Sequence, residues 1–449
     1  MQVAYAYAEE SSLITHDDES ELSLATSGGA ADTPFFYSGF LVRPRRIAGL
    51  LLSVSRVAGT RFFVPAAMRD AAARAADPVV TSDGSQLRFE AFSACNGVYA
   101  RADLLPGSID DGFVATGTTN VDFNPPMRNA LSKLRDADPV HLSVGSEQVT
   151  VATIDRSVTE RRVRIPDRWL RGFAEVQVSQ TELVQRCELD RPSTKRFLST
   201  LARTKRLGDW WAVQSARGLD LHADETAGSI RIAGLERLRL LAGHAREATA
   251  MRIWTVEGQD AAPAAFEVDL SDCRLTLVLS PAVSRGFSGE GKVLRDVVDE
   301  EAVAAADRLR PLVTGRSGLV PAALATQLSS SIDSVERGLN VLASAGAAGF
   351  DLATGSYFHR ELPFDLDAMA LLHPRVRGAA GLGANAVVIV GRKPHELMAV
   401  VTGKTATYVV RVSGGSESTC TCPWFEKHGL TRGLCKHRLA LDMALEADE

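Results

Sequence analysis

The segment Cys420–His437, CTCPWFEKHGLTRGLCKH, carries a Cys-x-Cys pair, twelve intervening residues and a Cys-x-His pair. Three thiols and one imidazole are the donors that tetrahedral Zn²⁺ prefers. Two ligand pairs joined by a short loop can converge on one ion without a large fold around them. A lone CxC or CxH means little, because small buried cysteines are common in cores. Here three of the chain's six cysteines fall within this segment and a histidine follows the last, whereas Cys95, Cys187 and Cys273 are scattered. Cys420, Cys422, Cys435 and His437 are therefore the expected ligands of one structural zinc ion. Four protein ligands leave no open position for substrate or an activated water, which argues against a catalytic metal. His428, inside the loop, is the alternative imidazole. His437 is preferred because it shares the start of a helix with Cys435.

The flanks of this segment predict a compact ββα unit. Asn385–Val390 and Leu397–Thr402 are β-branched runs bounded by turn residues, and Ala406–Val412 is a third strand candidate. Cys435–Glu446 sets Leu439 and Met443 four residues apart on one helical face, widened by Leu441 and Leu445. So small a unit buries little apolar surface, so zinc binding contributes directly to its folding. The CxC-x12-CxH pattern on a β-hairpin and short helix resembles the SWIM zinc finger, over about the last seventy residues of the chain. That resemblance implies ligand roles for Cys420, Cys422, Cys435 and His437, and binding to DNA or to proteins.

Composition sets wider bounds. At 449 residues the chain has room for several domains. A net charge of −5 gives no global attraction to nucleic acid or anionic lipid. No apolar run reaches the length of a membrane span, and the opening MQVAYAYAEESS lacks the basic and apolar regions of a signal peptide. A cytoplasmic, reducing setting is expected, where clustered cysteines are better explained by metal than by disulfides.

The expected architecture is α+β and multidomain. Residues 1–34 form an acidic N-terminal arm, with Ser27–Ala30 as a loop, and are read as a solvated stretch ahead of a docking segment. Residues 35–150 form an α+β domain, residues 151–290 a basic helical segment plus a β-rich region, residues 291–365 a winged-helix-like module and residues 373–449 the zinc finger. Ile47–Val57 reads as a buried helix, Phe62–Val64 as a strand before a helix near Ala66, and Met127–Leu134 as a further helix. Between them, Ala94–Gly97, Gly117–Asn120 and Asp122–Pro126 read as turns and a tight bend.

Three segments, Phe92–Leu105, Gly117–Ala130 and Val163–Val176, resemble the N-terminal region of bacterial SWIM proteins associated with a MoxR-type AAA+ ATPase and a von Willebrand A-domain protein. The resemblance implies a companion or regulator of an ATPase system rather than a stand-alone enzyme. It assigns no role to individual residues.

Three further features bear on function. Cys95, Thr118, Thr119, Asp122 and Asn124 are of types found in nucleophilic sites, yet no histidine or lysine stands near them in sequence, and turn chemistry accounts for the spacing. Residues 156–217 are rich in arginine and lysine, with Trp169, Trp210 and Trp211 interleaved. That combination can grip phosphates and stack on bases, but a solvated helical face with buried tryptophans is the preferred reading. Gly286–Lys292 matches the P-loop spacing until Val293 replaces the Mg²⁺-binding hydroxyl, and is read as a flexible linker.

Downstream, Val297–Leu309 reads as a helix stopped at Pro311, followed by helices Pro321–Leu328 and Ile332–Ala345. A hairpin of Phe350–Leu352 and Ser356–His359 completes the order of a winged helix. The candidates for DNA contact on its recognition helix, Ile332–Ala345, include one arginine, Arg337, against the acids Asp333 and Glu336. That balance favours a protein contact or spacer. The chain is thus expected to be a non-catalytic, zinc-dependent interaction protein with no membrane association. The alternative is a DNA- or RNA-binding protein using residues 156–217 and a basic-aromatic patch of Trp424, Arg432, Lys436 and Arg438 on the finger.

Overall fold

A computed structural model of the protein describes residues 13–16, 19–22, 35–63, 78–120, 123, 125–145, 149–153, 156–158, 167–258, 262–362, 373–403, 405–413 and 417–447. The chain forms two compact units, Met1–Pro166 with Glu182–Gly286, and Asp167–Thr181 with Phe287–Glu449. The segment 151–290 is thereby divided between them, while 291–365 and 373–449 both fall in the second. Among the described residues, no helix is long and apolar enough to cross a membrane.

The first unit is built on an eight-stranded antiparallel sheet. Its order is Val184–Leu189, Ala250–Thr255, Ala264–Asp269, Cys273–Leu279, Val98–Leu104, Leu87–Phe92, Val79–Asp83 and Thr116–Asn120. The helix Pro44–Gly59 packs on strands Leu87–Phe92 and Val98–Leu104, burying Ile47, Leu50, Leu51, Val54 and Val57. Side chains alternate across a sheet, and the positions between the apolar ones here carry charge. Arg88, Arg101 and Asp103 are all buried, with Asp103 held 3.0 Å from Arg101 and 2.5 Å from Arg274, and Arg88 2.7 Å from Asp83. A five-stranded sheet (156–158, 149–153, 141–145, 35–41, 109–114) and a three-stranded sheet (218–222, 210–215, 230–232) complete the strand layers. A short hairpin, Leu13–His16 with Glu19–Leu22, lies within the acidic arm. Ser27–Ala30 falls outside the described residues.

Several expectations need correction. Phe62 and Phe63 are irregular rather than a strand; Val64 and the helix near Ala66 lie outside the described residues. Gly117–Asn120 is no turn: it is part of an edge strand paired with Val79–Ser82. Gly117 is required there because a Cβ would sit 2.3 Å from the Phe36 ring.

The second unit begins with the helix Asp167–Thr181, which packs on the helix Ile332–Ser344 and the strand Ala348–Asp351. Trp169 and Phe173 are fully buried, and the Arg360 guanidinium lies 4.8 Å from the Phe173 ring. Helices Glu300–Val313, Pro321–Leu328 and Ile332–Ser344 lead into the hairpin Ala348–Asp351/Ser356–His359. Pro311 does not stop the first of these. It sits in the last turn, where its missing N–H removes one hydrogen bond without blocking the residues after it. The C-terminal element is larger than ββα. It is a four-stranded antiparallel sheet, ordered Val387–Lys393, Glu396–Thr402, Thr407–Ser413, Glu417–Cys420. Helices Pro374–Ala380, Pro423–His428 and Lys436–Ala447 accompany it.

Candidate metal centre

Each ligand sits where backbone geometry serves it. Cys420 ends the strand Glu417–Cys420, whose partner Val410 is buried. Cys422 caps the helix Pro423–His428, its Sγ accepting the Phe425 N–H at 3.4 Å. Pro423 suits that helix start, since its missing N–H would have no intrahelical partner. Cys435 immediately precedes the helix Lys436–Ala447, so its sulfur meets N–H groups that a helix start leaves unsatisfied. His437 projects from the first turn of the same helix and stacks on Tyr408, with ring centroids 4.3 Å apart.

The four donor atoms lie within 4.8 Å of one another, and all four residues are buried. His437 Nδ1 is 3.8 Å from Cys420 Sγ. Tetrahedral Zn–S and Zn–N bonds of ~2.3 and ~2.0 Å would separate these atoms by about 3.5 Å. Three sulfurs this close do not ionise independently. The hydrogen bond from Cys420 pulls Cys435 down to about 4, helped by His437 and by the backbone N–H groups of Arg438 and His437. Hydrogen bonding to Cys435 and burial push Cys420 up, and burial raises Cys422. A buried, sulfur-rich donor set of this kind fits one structural zinc ion. His428 is not part of it; its ring lies against Trp424.

Residues 408–441 match the family described as SWIM zinc finger. The SWIM match spans the last two sheet strands, the ligand loop and half of the final helix. No curated protein matches the chain. Among solved structures, Proliferating Cellular Nuclear Antigen from Entamoeba histolytica is similar at 12% identity and a TM-score of 0.35, over 55% of this chain and 98% of that one. A structure titled as the C-terminal region of FEN-1 bound to A. fulgidus PCNA is similar at 13% identity and the same TM-score, over 54% and 97%. At that level neither likeness informs fold or role.

The SWIM finger shares its core with the rest of its unit. Ala399, Val401, Val410, Leu439 and Leu441 are buried together with Ala174 and Val178 of the helix Asp167–Thr181, with Val293 and Leu294, and with Val376 and Ala379. Arg375 is the main polar tie. Its guanidinium donates to the carbonyls of Arg432 and Leu434, each at 2.7 Å, and of Glu290 at 2.5 Å. It also stacks 4.6 Å from the Trp424 ring. The backbones meet closely here: a Cβ on Gly433 would lie 1.8 Å from the Gly291 carbonyl. Glu175 accepts the Lys292 N–H at 3.0 Å, and burial pushes its carboxyl up to about 8. The stretch read as a linker is therefore packed, with Phe287 and Glu290 buried. Its glycines serve close approach.

The basic-aromatic patch expected on the finger is largely committed internally. Arg432 donates to the Gly289 carbonyl at 2.5 Å and lies 3.6 Å from Glu290. Arg438 pairs with Asp442 at 2.7 Å and is 12% exposed. Trp424 lies against Arg375, and the Lys436 stem rests near Gly378. On the helix Ile332–Ser344, Arg337 bridges Asp296 at 3.2 Å and Asp299 at 2.6 Å, and Asn340 donates to Asp296 at 2.9 Å.

Of the first-unit residues whose types suit a nucleophilic site, Cys95, Thr118 and Thr119 are among the described residues. Cys95 is half-buried; burial raises its thiol, but Ser93 and the N–H groups of Gly97, Phe63 and Phe62 together lower it. Thr118 and Thr119 stand in the edge strand, and Asp122 and Asn124 lie outside the described residues. The reading of residues 156–217 divides similarly. Arg161, Arg162 and Arg164 are outside the described residues, Trp169 is core, and residues 191–217 belong to the first unit.

Proposed function

We propose that the protein is a non-catalytic, cytoplasmic interaction or regulatory subunit of a bacterial MoxR-type AAA+ ATPase system, working with a von Willebrand A-domain protein. The observation that carries this reading is the internal engagement of Arg375, Arg432, Arg438 and Trp424 around the finger. A finger whose Arg375, Arg432 and Arg438 are spent on carbonyls and carboxylates of its own unit is a fixed structural block, better suited to shaping a protein surface than to following a phosphate backbone. We read residues 291–365 as a winged-helix-like module in the same service, since Arg337 and Asn340 are turned onto Asp296 and Asp299 rather than outward.

The test is co-purification of the full chain with a MoxR-type ATPase and a von Willebrand A-domain protein from the same cell, carried through a wash in high salt. A stoichiometric complex whose ATPase rate differs from that of the ATPase alone is expected. Recovery of the chain alone, with no change in ATPase rate on mixing, would remove the proposal.

A further inference from the structure

The helix Arg191–Arg203 and the strand Trp210–Ser215 of the first unit carry a surface charge at odds with the rest of the chain. Residues 191–217 hold seven arginines and lysines and one acid, in a protein of net charge −5. Lys195, Arg196, Arg203, Lys205, Arg206 and Arg217 are all exposed, and none forms a salt bridge among the described residues. The acids nearby in sequence are mostly engaged by other groups, although Asp190 also faces the charge of Arg196 and Asp220, Asp224 and Glu225 are exposed just beyond this stretch. Asp190 caps the helix through the Ser193 N–H, Asp209 is held by Arg231 at 2.5 Å and by the Gly234 N–H, and Glu236 accepts the Gly208 N–H.

The cations are also ordered. Arg196 and Arg203 are seven residues apart, on one helix face about 10 Å from each other. Arg196 is fixed by the Arg217 carbonyl at 2.5 Å. The Arg206 guanidinium lies 4.2 Å from the Trp210 ring, and Trp210 is anchored by its N–H to the Leu207 carbonyl at 3.2 Å. A guanidinium laid flat on an indole keeps its N–H edge free to fork onto a phosphate. Trp210 and Trp211 are each half-exposed.

We propose that this face binds single-stranded nucleic acid, the arginines contacting successive phosphates and the Trp210 indole, on the same side as Arg206, stacking on a base. The predominance of arginine and the Trp210 indole favour a strand with accessible bases over an acidic protein surface. This site is separate from the SWIM finger and does not depend on the partnership proposed above.

The experiment is fluorescence anisotropy of a labelled dT20 strand with the full-length, zinc-loaded protein across a salt series. With five phosphates engaged, the slope of log K against log salt should be about −3.5, so affinity should fall roughly a hundredfold between about 50 and 200 mM salt. The triple variant R196E/R203E/K205E should flatten that slope by about 2. Trp210→Leu should weaken binding by about tenfold and leave the slope alone; the single variant Lys205→Glu, in an exposed loop, gives the charge test without burdening the fold. The inference is overturned by any of three results: wild-type affinity in the charge variants, equal affinity for polyglutamate or duplex DNA, or loss of dT20 binding on zinc chelation.

Discussion

Arg375→Ala is the sharpest probe of how the zinc loop is held. The substitution strips three carbonyls, those of Glu290, Arg432 and Leu434, of their shared donor and removes the stack on Trp424. A hydrogen bond from a charged group to a half-buried carbonyl contributes about 1 kcal/mol net once water can partly replace it, and the stack adds about 0.5. The expected loss is about 3.5 kcal/mol. Two of the three carbonyls flank Gly433, just before Cys435, so the cost falls on the segment that presents a ligand. If it falls wholly on the zinc-bound form, zinc affinity drops by about three hundredfold. Competition with a chromogenic chelator measures this directly, with exposed Arg377→Ala as the control. Arg375→Lys, which keeps charge but not the fork, should lie between. Should Arg375→Ala hold zinc as tightly as Arg377→Ala, the proposed tie is not what positions the loop.

Other outcomes follow from the same geometry. Cys435→Ser, or chelation, should abolish stoichiometric zinc and remove hydrogen-exchange protection from residues 287–294 and 374–380 as well as from the finger, because their side chains share one core; strand Val98–Leu104 should stay protected. Glu175 has its carboxyl raised to about 8, so the folded protein holds a proton that the unfolded chain releases near 4.5; its contribution is full below that pH and is lost as pH rises toward 8. Glu175→Gln should therefore flatten the fall in melting temperature between pH 5 and 8. Asp103→Ala leaves Arg101 and Arg274 buried without their shared carboxylate and should destabilise the first unit by about 3–5 kcal/mol in urea unfolding; a change below about 1 kcal/mol would contradict the burial of that network.

What the sequence made legible was local. The four ligand positions could be read because a helix start and a strand end bring short-range pairs together. Runs such as Cys273–Leu279 and Ile332–Ser344 announce themselves by period. The strand Glu417–Cys420 was missed because ESTC has only one strongly apolar residue and is completed by pairing with Thr407–Ser413. Helix Pro423–His428 is too short for periodicity to speak, and its start signal is a cysteine rather than a usual cap. Arg375 could not be recognised, since its partners lie 57, 59 and 85 residues away. Gly286–Lys292 misled for a related reason: glycine looks the same in sequence whether it confers freedom or permits contact, and Gly291 does the latter.

The excursion of the chain at Asp167–Thr181 has a consequence for biosynthesis. That helix leaves the ribosome long before residues 287–449, which supply every partner that covers Ala174, Val178 and Phe173 within its unit. Its apolar stripe must wait, unsheltered, through the synthesis of residues 182–286, which belong to the other unit. A fragment starting at Phe287 would never receive it, so heterologous expression of the C-terminal part alone should yield insoluble protein unless the helix is supplied as a separate peptide.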